Sequence, residues 1–295
     1  MRHVWAVTKR TAIAFYDDQM THHAAAITYY SLMSLFPVAL LAVSLLGVIG
    51  QFPETYDAIV GYLRDVVPAT AIDAVDASLR DALSSRSTAG AAVIVSVVLA
   101  LYGTTGALEA ARRALNVAFE IKRGRSFLRR KANDIALTFV LLGLILVSFI
   151  AIFLGGGFAE DIFGFIGLGT AGEDIWNVVR WPLALAAAML AFSLVYFFVP
   201  DVHHRAFRWI TPGAALGVGA WFGISLLFSL YVSRVADVGA VYGAFAGAII
   251  LVAWIWLTNV ALLFGAELNA EIERERELVE GVPLSETLNL PAKTS

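Results

Sequence analysis

The stretch from Ala24 to Gly50 carries no charged residue, yet its first half is polar for a segment of that length. It begins with Ala24, Ala25, Ala26 and Ile27. Thr28, Tyr29, Tyr30, Ser31, Ser34 and Pro37 follow, and mostly apolar sequence takes over at Val38. As a helix rising 1.5 Å per residue it reaches about 40 Å, more than the roughly 30 Å of bilayer hydrocarbon. Lipid offers no hydrogen-bond partners, so hydroxyls and a proline at that depth must face protein or water. The fold therefore needs an interior for this helix to line. Thr28, Ser31 and Ser34 step by three along one side, and Tyr29 and Tyr30 broaden that side.

The chain is 59% hydrophobic and 15% charged, against about half and a quarter for soluble domains, so the class is integral membrane protein. Six apolar runs, at 24–50, 88–106, 133–157, 178–199, 209–232 and 240–265, predict six transmembrane helices. None shows the alternation of barrel strands. Cysteine is absent, which excludes disulfides, thiolate metal sites and a Cys nucleophile. No secretory signal is expected, since the first apolar run starts late and is too long for a signal core.

Lysine and arginine orient the bundle. Eight of them lie between Arg112 and Lys131, with others at Arg2, Lys9, Arg10, Arg205, Arg208, Arg274, Arg276 and Lys293. The opposite side holds Arg64, Arg80, Arg86, Arg180 and Arg234. Both termini are expected in the cytoplasm. The expected organisation is a cytoplasmic segment 1–23, a six-span domain 24–268 and a charged cytoplasmic tail 269–295. In the outer loop 51–87, Tyr56, Ile59, Val60, Leu63 and Val67 recur at helical spacing. They predict amphipathic helices that lie on the outer face or cap the bundle.

Five blocks in order carry a family resemblance. They are His23–Ser31 with Ser34–Pro37; Gly106, Leu115–Asn116 and the basic run to Arg130; Trp181–Pro182 and Tyr196–Pro200; Thr211–Ala214 with Trp221, Phe228 and Tyr231; and Tyr242–Ala246, Trp254–Leu257 and Gly265–Asn269. Over roughly 15–270 the chain resembles the YihY/virulence factor BrkB family of bacterial inner-membrane proteins, once described as ribonuclease BN-like. The resemblance implies an all-α protein of six spans with cytoplasmic termini. It implies no settled activity.

Three groups of residues could carry function. Thr28, Tyr29, Tyr30, Ser31, Ser34 and Pro37, with Asn259 and Glu267, form a candidate substrate pocket for an amphiphile's head group. The alternative is hydroxyls spent on helix packing. Asp17, Asp18, His22, His23, Asp201, His203 and His204 share one membrane face and could relay protons or ligate a metal. Their spacing matches no metal motif, so no metal is assigned, and interfacial anchoring is the plainer reading. Lys122, Arg123, Arg125, Arg129, Arg130 and Lys131 suit anionic lipid head groups, although topology alone accounts for their charge. No nucleic-acid partner is expected, because no aromatic-rich module interleaves with these cations. Small-residue steps at Gly213/Gly217, Gly219/Gly223 and Gly243/Gly247 suit close helix packing.

No cofactor is called for. The expected function is non-enzymatic transport or translocation of a lipid or other amphiphile for the cell envelope. Membrane lipids are the expected partners, with a second copy or an envelope protein as further candidates. A membrane scaffold that moves nothing is the alternative, and a tRNA-processing nuclease is a remote one.

Overall fold

The computed structural model describes residues 2–49, 86–121, 126–153, 169–202, 210–234, 246–281 and 288. Every regular element among them is an α-helix: α1 (Arg2–Asp17), α2 (Met20–Ile49), α3 (Arg86–Ala118), α4 (Phe127–Phe153), α5 (Gly169–Phe198), α6 (Pro212–Arg234) and α7 (Ala246–Val279). Helices α2 to α7 cover at least part of each apolar run. Among the described residues, four segments are long and apolar enough to cross a membrane by length and composition: Ile94–Ala118, Asp174–Phe198, Pro212–Arg234 and Gly247–Val279. The outer-loop helices expected over 51–87 fall almost wholly outside the described residues, as do Lys122, Arg123, Arg125, His203, His204 and Gly243.

The chain divides into two units, Tyr29–Gly106 and the remainder. Within Tyr29–Gly106, α2 and α3 approach closely. A Cβ at Gly103 would lie 2.7 Å from Ser34, and one at Gly106 would lie 2.6 Å from the Tyr30 ring. Only glycine permits that approach. Helix α2 runs through Pro37 without interruption.

In the other unit, α6 packs on α7, α4 on α5, α5 on α6 and α1 on α7. Glycine sets the α6–α7 approach. A Cβ at Gly213 would stand 2.0 Å from the Gly265 carbonyl oxygen, and one at Gly265 would stand 2.4 Å from that of Gly213. The Gly213/Gly217 step is therefore used for packing. Gly219, Gly223 and Gly247 have open space where a Cβ would go. Small and aliphatic residues such as Ala114, Leu115, Val199, Val218, Leu263 and Ala266 fill the core. Outer flanks carry exposed Phe222, Leu226, Leu227 and Leu230 on α6 and Ile175, Val178 and Trp181 on α5. A surface this apolar suits hydrocarbon rather than water.

Candidate functional site

A tight elbow joins α1 to α2 and delivers Asp18 to α7. Gln19 adopts a left-handed backbone, φ 53°, a conformation that costs an L-residue roughly 1–2 kcal/mol. The elbow is closed by hydrogen bonds from Asp18 N to Ala14 O (2.8 Å), Gln19 N to Tyr16 O (3.0 Å) and His22 N to Gln19 O (2.9 Å). Helix α1 thereby folds back along α7. Arg10 donates from Nε to Glu271 (2.7 Å) and from a terminal nitrogen to Glu275 (2.6 Å). Phe15 meets Phe264 edge to face at 5.6 Å.

Where the two helices meet, the carboxyl groups of Asp18 and Glu267 lie within hydrogen-bonding reach of each other. Glu267 is 1% exposed, and its Oε1 has no hydrogen-bond partner among the described residues. A carboxylate only accepts hydrogen bonds, so a bond between two carboxyl groups requires a proton on one of them. Burial pushes the Asp18 carboxyl above the ordinary carboxylate range. The bond with Glu267 opposes that shift, while the negative charges of Glu120, Asp17 and Glu271 reinforce it.

The surrounding cations are committed elsewhere. Arg10 binds Glu271 and Glu275, and those bonds hold its guanidinium above its usual pKa despite the opposing effect of burial. Arg274 pairs with Glu120 and lies 4.0 Å from Glu277. Glu120 also accepts from the Leu288 backbone N–H at 2.9 Å. Among the described residues, neither Asp18 nor Glu267 has an ion-pair partner.

Glu267 is held in place by the α5–α6–α7 packing. Tyr196 Oη donates to the Leu262 carbonyl at 2.6 Å. Asn269 caps α6: its Oδ1 accepts from Gly213 N (2.9 Å), and its Nδ2 donates to Thr211 Oγ1 (3.1 Å). Thr211 Oγ1 in turn accepts from Ala214 N at 3.0 Å, the usual N-cap bond.

A second buried charge cluster is built around a cation instead. Arg112, 1% exposed, pairs with Asp134 (2% exposed) and with Glu109 at 2.6 Å. Its Nε donates to the Val199 carbonyl at 3.0 Å and lies 3.9 Å from Asp201. Asn116 grips Asp201 twice, donating to its carboxylate (3.1 Å) and accepting from its backbone N–H (2.8 Å). This cluster ties α3, α4 and the end of α5 together. Sequence reasoning counted Arg112 only as a topogenic charge and passed over Asp134. The signal was Glu109, Arg112 and Asn116 at steps of three and four on one helix.

The remaining candidates make local contacts. Thr28 donates to the Ala24 carbonyl (2.8 Å) and accepts from Asn259 Nδ2 (3.0 Å), and both residues are buried. Ser34 donates to the Ser31 carbonyl at 2.8 Å. Tyr29 is exposed and meets Tyr30 edge to face at 5.2 Å. Asp17 and His22 are exposed and His23 is half-buried. Burial, then the charge of His22, holds the His23 imidazole below its ordinary range. Arg129 is exposed, while Arg130 reaches Glu109 at 3.3 Å. Among the described residues, no three His, Asp or Glu are grouped as metal ligands would be.

Residues 12–287 match the profile of the family described as virulence factor BrkB. The chain belongs to the BrkB family. A ribonuclease-like protein of Bacillus subtilis, YfkH, is 27% identical over 88% of this chain and 92% of its own. A UPF0761 membrane protein of Pseudoalteromonas translucida is 26% identical over 90% of this chain and 85% of its own. Another, from Nitrosospira multiformis, is 27% identical over 90% of this chain, which spans 60% of that longer relative. No solved structure matches significantly. This BrkB-family chain is a membrane protein, and it shares its family with the UPF0761 proteins.

Proposed function

We propose that the protein moves a lipid or another amphiphile within or across the bacterial inner membrane without covalent catalysis. The observation that carries this reading is the Asp18–Glu267 pair. The buried Glu267 carboxyl group meets the half-buried one of Asp18 on a membrane-crossing candidate, and neither has an ion-pair partner among the described residues. Ionisable groups are costly at membrane depth and characteristically mark substrate or ion pathways. A pair kept only for stability would be balanced, as Arg112 balances Asp134. The positive-inside distribution supports six spans with both termini in the cytoplasm, which places the pair at the inner end of the bundle.

Reconstitution into liposomes tests the proposal. Folded protein should accelerate movement of a fluorescent phospholipid between leaflets. Unchanged movement under every imposed ion gradient would defeat it.

The scaffold alternative draws on one observation, the commitment of Thr28 and Asn259 to each other. It predicts that Thr28→Val and Asn259→Leu lower stability while leaving any transport unchanged. The name of the Bacillus relative motivates an RNA-cleavage assay. Cleavage by the purified protein that is lost in His22→Ala/His23→Ala would overturn the non-enzymatic reading.

A further inference from the structure

We propose that Asp18 and Glu267 form a proton-binding site that latches the α1–α2 elbow onto α7 when occupied and releases it when empty. Its role as the coupling site rests on the transport reading, but the latch itself does not. The ligand is a single proton shared between the two carboxyl groups.

The geometry leads to this assignment in three steps. First, the Asp18 and Glu267 carboxyl groups lie within hydrogen-bonding reach, and a bond between them needs one proton, because neither ionised carboxylate can donate. Second, Glu267 is 1% exposed and its Oε1 lacks a protein donor, so ionisation would leave an uncompensated charge in a buried site. Third, among the described residues the charged groups that bear on Asp18 are negative, and the arginines beside them are spent on other carboxylates. Asp17 comes from the elbow, Glu120 from the end of α3 and Glu271 from α7, and all three bear on Asp18. Arg10 and Arg274 are held by Glu271, Glu275 and Glu120. His22, which is exposed, and His23, which is half-buried, lie one turn further along α2. Loss of the proton would place two like charges side by side, with no unspent arginine beside them among the described residues.

The elbow is built to respond. Its backbone already passes through a left-handed residue at Gln19. Past the pair, α1 is tied to α7 mainly by Arg10, through ion pairs that are part-exposed. Repulsion between Asp18 and Glu267 would therefore loosen the elbow before the α6–α7 seam, which is locked backbone to backbone at Gly213 and Gly265.

The test uses the full chain in lipid nanodiscs. Cysteine is absent, so spin labels at Tyr16→Cys and Val279→Cys, both highly exposed positions, report the α1–α7 separation without background. Infrared difference spectra over the same pH titration report the protonated carboxyl group. We expect a protonated-carboxyl band that disappears on going alkaline, together with a widening of the label separation. Both responses should be lost in Glu267→Gln and in Asp18→Asn, which keep the shape but cannot ionise. A separation that ignores pH would overturn the proposal, as would a band that persists in both variants. In liposomes, lipid movement driven by a pH gradient in the native protein but not in Glu267→Gln supports coupling. Movement indifferent to the gradient refutes coupling. Absent movement with an intact titration refutes the transport reading and leaves the proton site standing.

Discussion

Replacing Arg112 with methionine should cost about 3–5 kcal/mol of folding free energy, the range seen when one partner of a buried ion pair is removed. The magnitude comes mainly from Asp134. At 2% exposure, its carboxylate would keep its burial and lose its guanidinium. Asp201 contributes less, because its two bonds to Asn116 survive the change. Glu109 is a third exposed, so water would screen its loss, and it deserves only the small value of a surface pair. The Val199 carbonyl would also lose its donor, at about 1 kcal/mol. Reversible unfolding in mixed micelles, followed by helical circular dichroism, measures the difference. The double variant Arg112→Met/Asp134→Leu should recover much of the loss, since apolar groups of similar volume often replace a buried ion pair without penalty. A single variant within about 1 kcal/mol of the native protein, the value of an exposed pair, would refute the burial argument. A double variant no better than the single would do the same.

Gly213→Ala and Gly265→Ala should each cost more than the roughly 1–3 kcal/mol of ordinary overpacking, because the obstacle is backbone. Gly219→Ala and Gly223→Ala, made in open space, should be neutral or slightly stabilising, and thermal melts in detergent separate the two classes. Asn269→Ala removes one of the two side-chain caps on α6, leaving that of Thr211, and should cost about 1 kcal/mol, with the same melts as readout. Because the folded Asp18 carboxyl titrates above its unfolded value, the folded chain holds that proton more tightly. Its contribution to stability is therefore full in acid and declines as pH rises through the folded value. The melting-temperature difference between native protein and Asp18→Asn should shift accordingly across a pH series, and a flat difference would count against the shared proton.

Much of the architecture was legible because apolar runs at membrane length have few alternatives to helix, and α2 to α7 lie on all six. The packing inside the bundle was less legible. Gly213/Gly217 and Gly219/Gly223 are the same step in sequence, and only the face turned toward α7 distinguishes them. The carboxyl pair was half visible: topology brought Asp18 and Glu267 to one end, but their pairing depends on the elbow. Gln19 carries no signal for a left-handed backbone, which glycine or asparagine would have given. Arg112 was hidden for another reason. A basic residue at the end of a span satisfies the orientation rule whether it meets water or a buried aspartate.

The length of α7 has a mechanical consequence. Its 34 residues make a rod of roughly 50 Å, well beyond the thickness of bilayer hydrocarbon. The charge-free run that opens α7 ends at Ala266, so one end of the rod is lipid-compatible while the other carries the contacts to Arg10 and Glu120. A tilt that begins among the apolar turns cannot be absorbed at a loop, because no loop intervenes. It would arrive as a larger sideways displacement at Glu271 and Arg274, making the far end of α7 a pointer for events in the membrane.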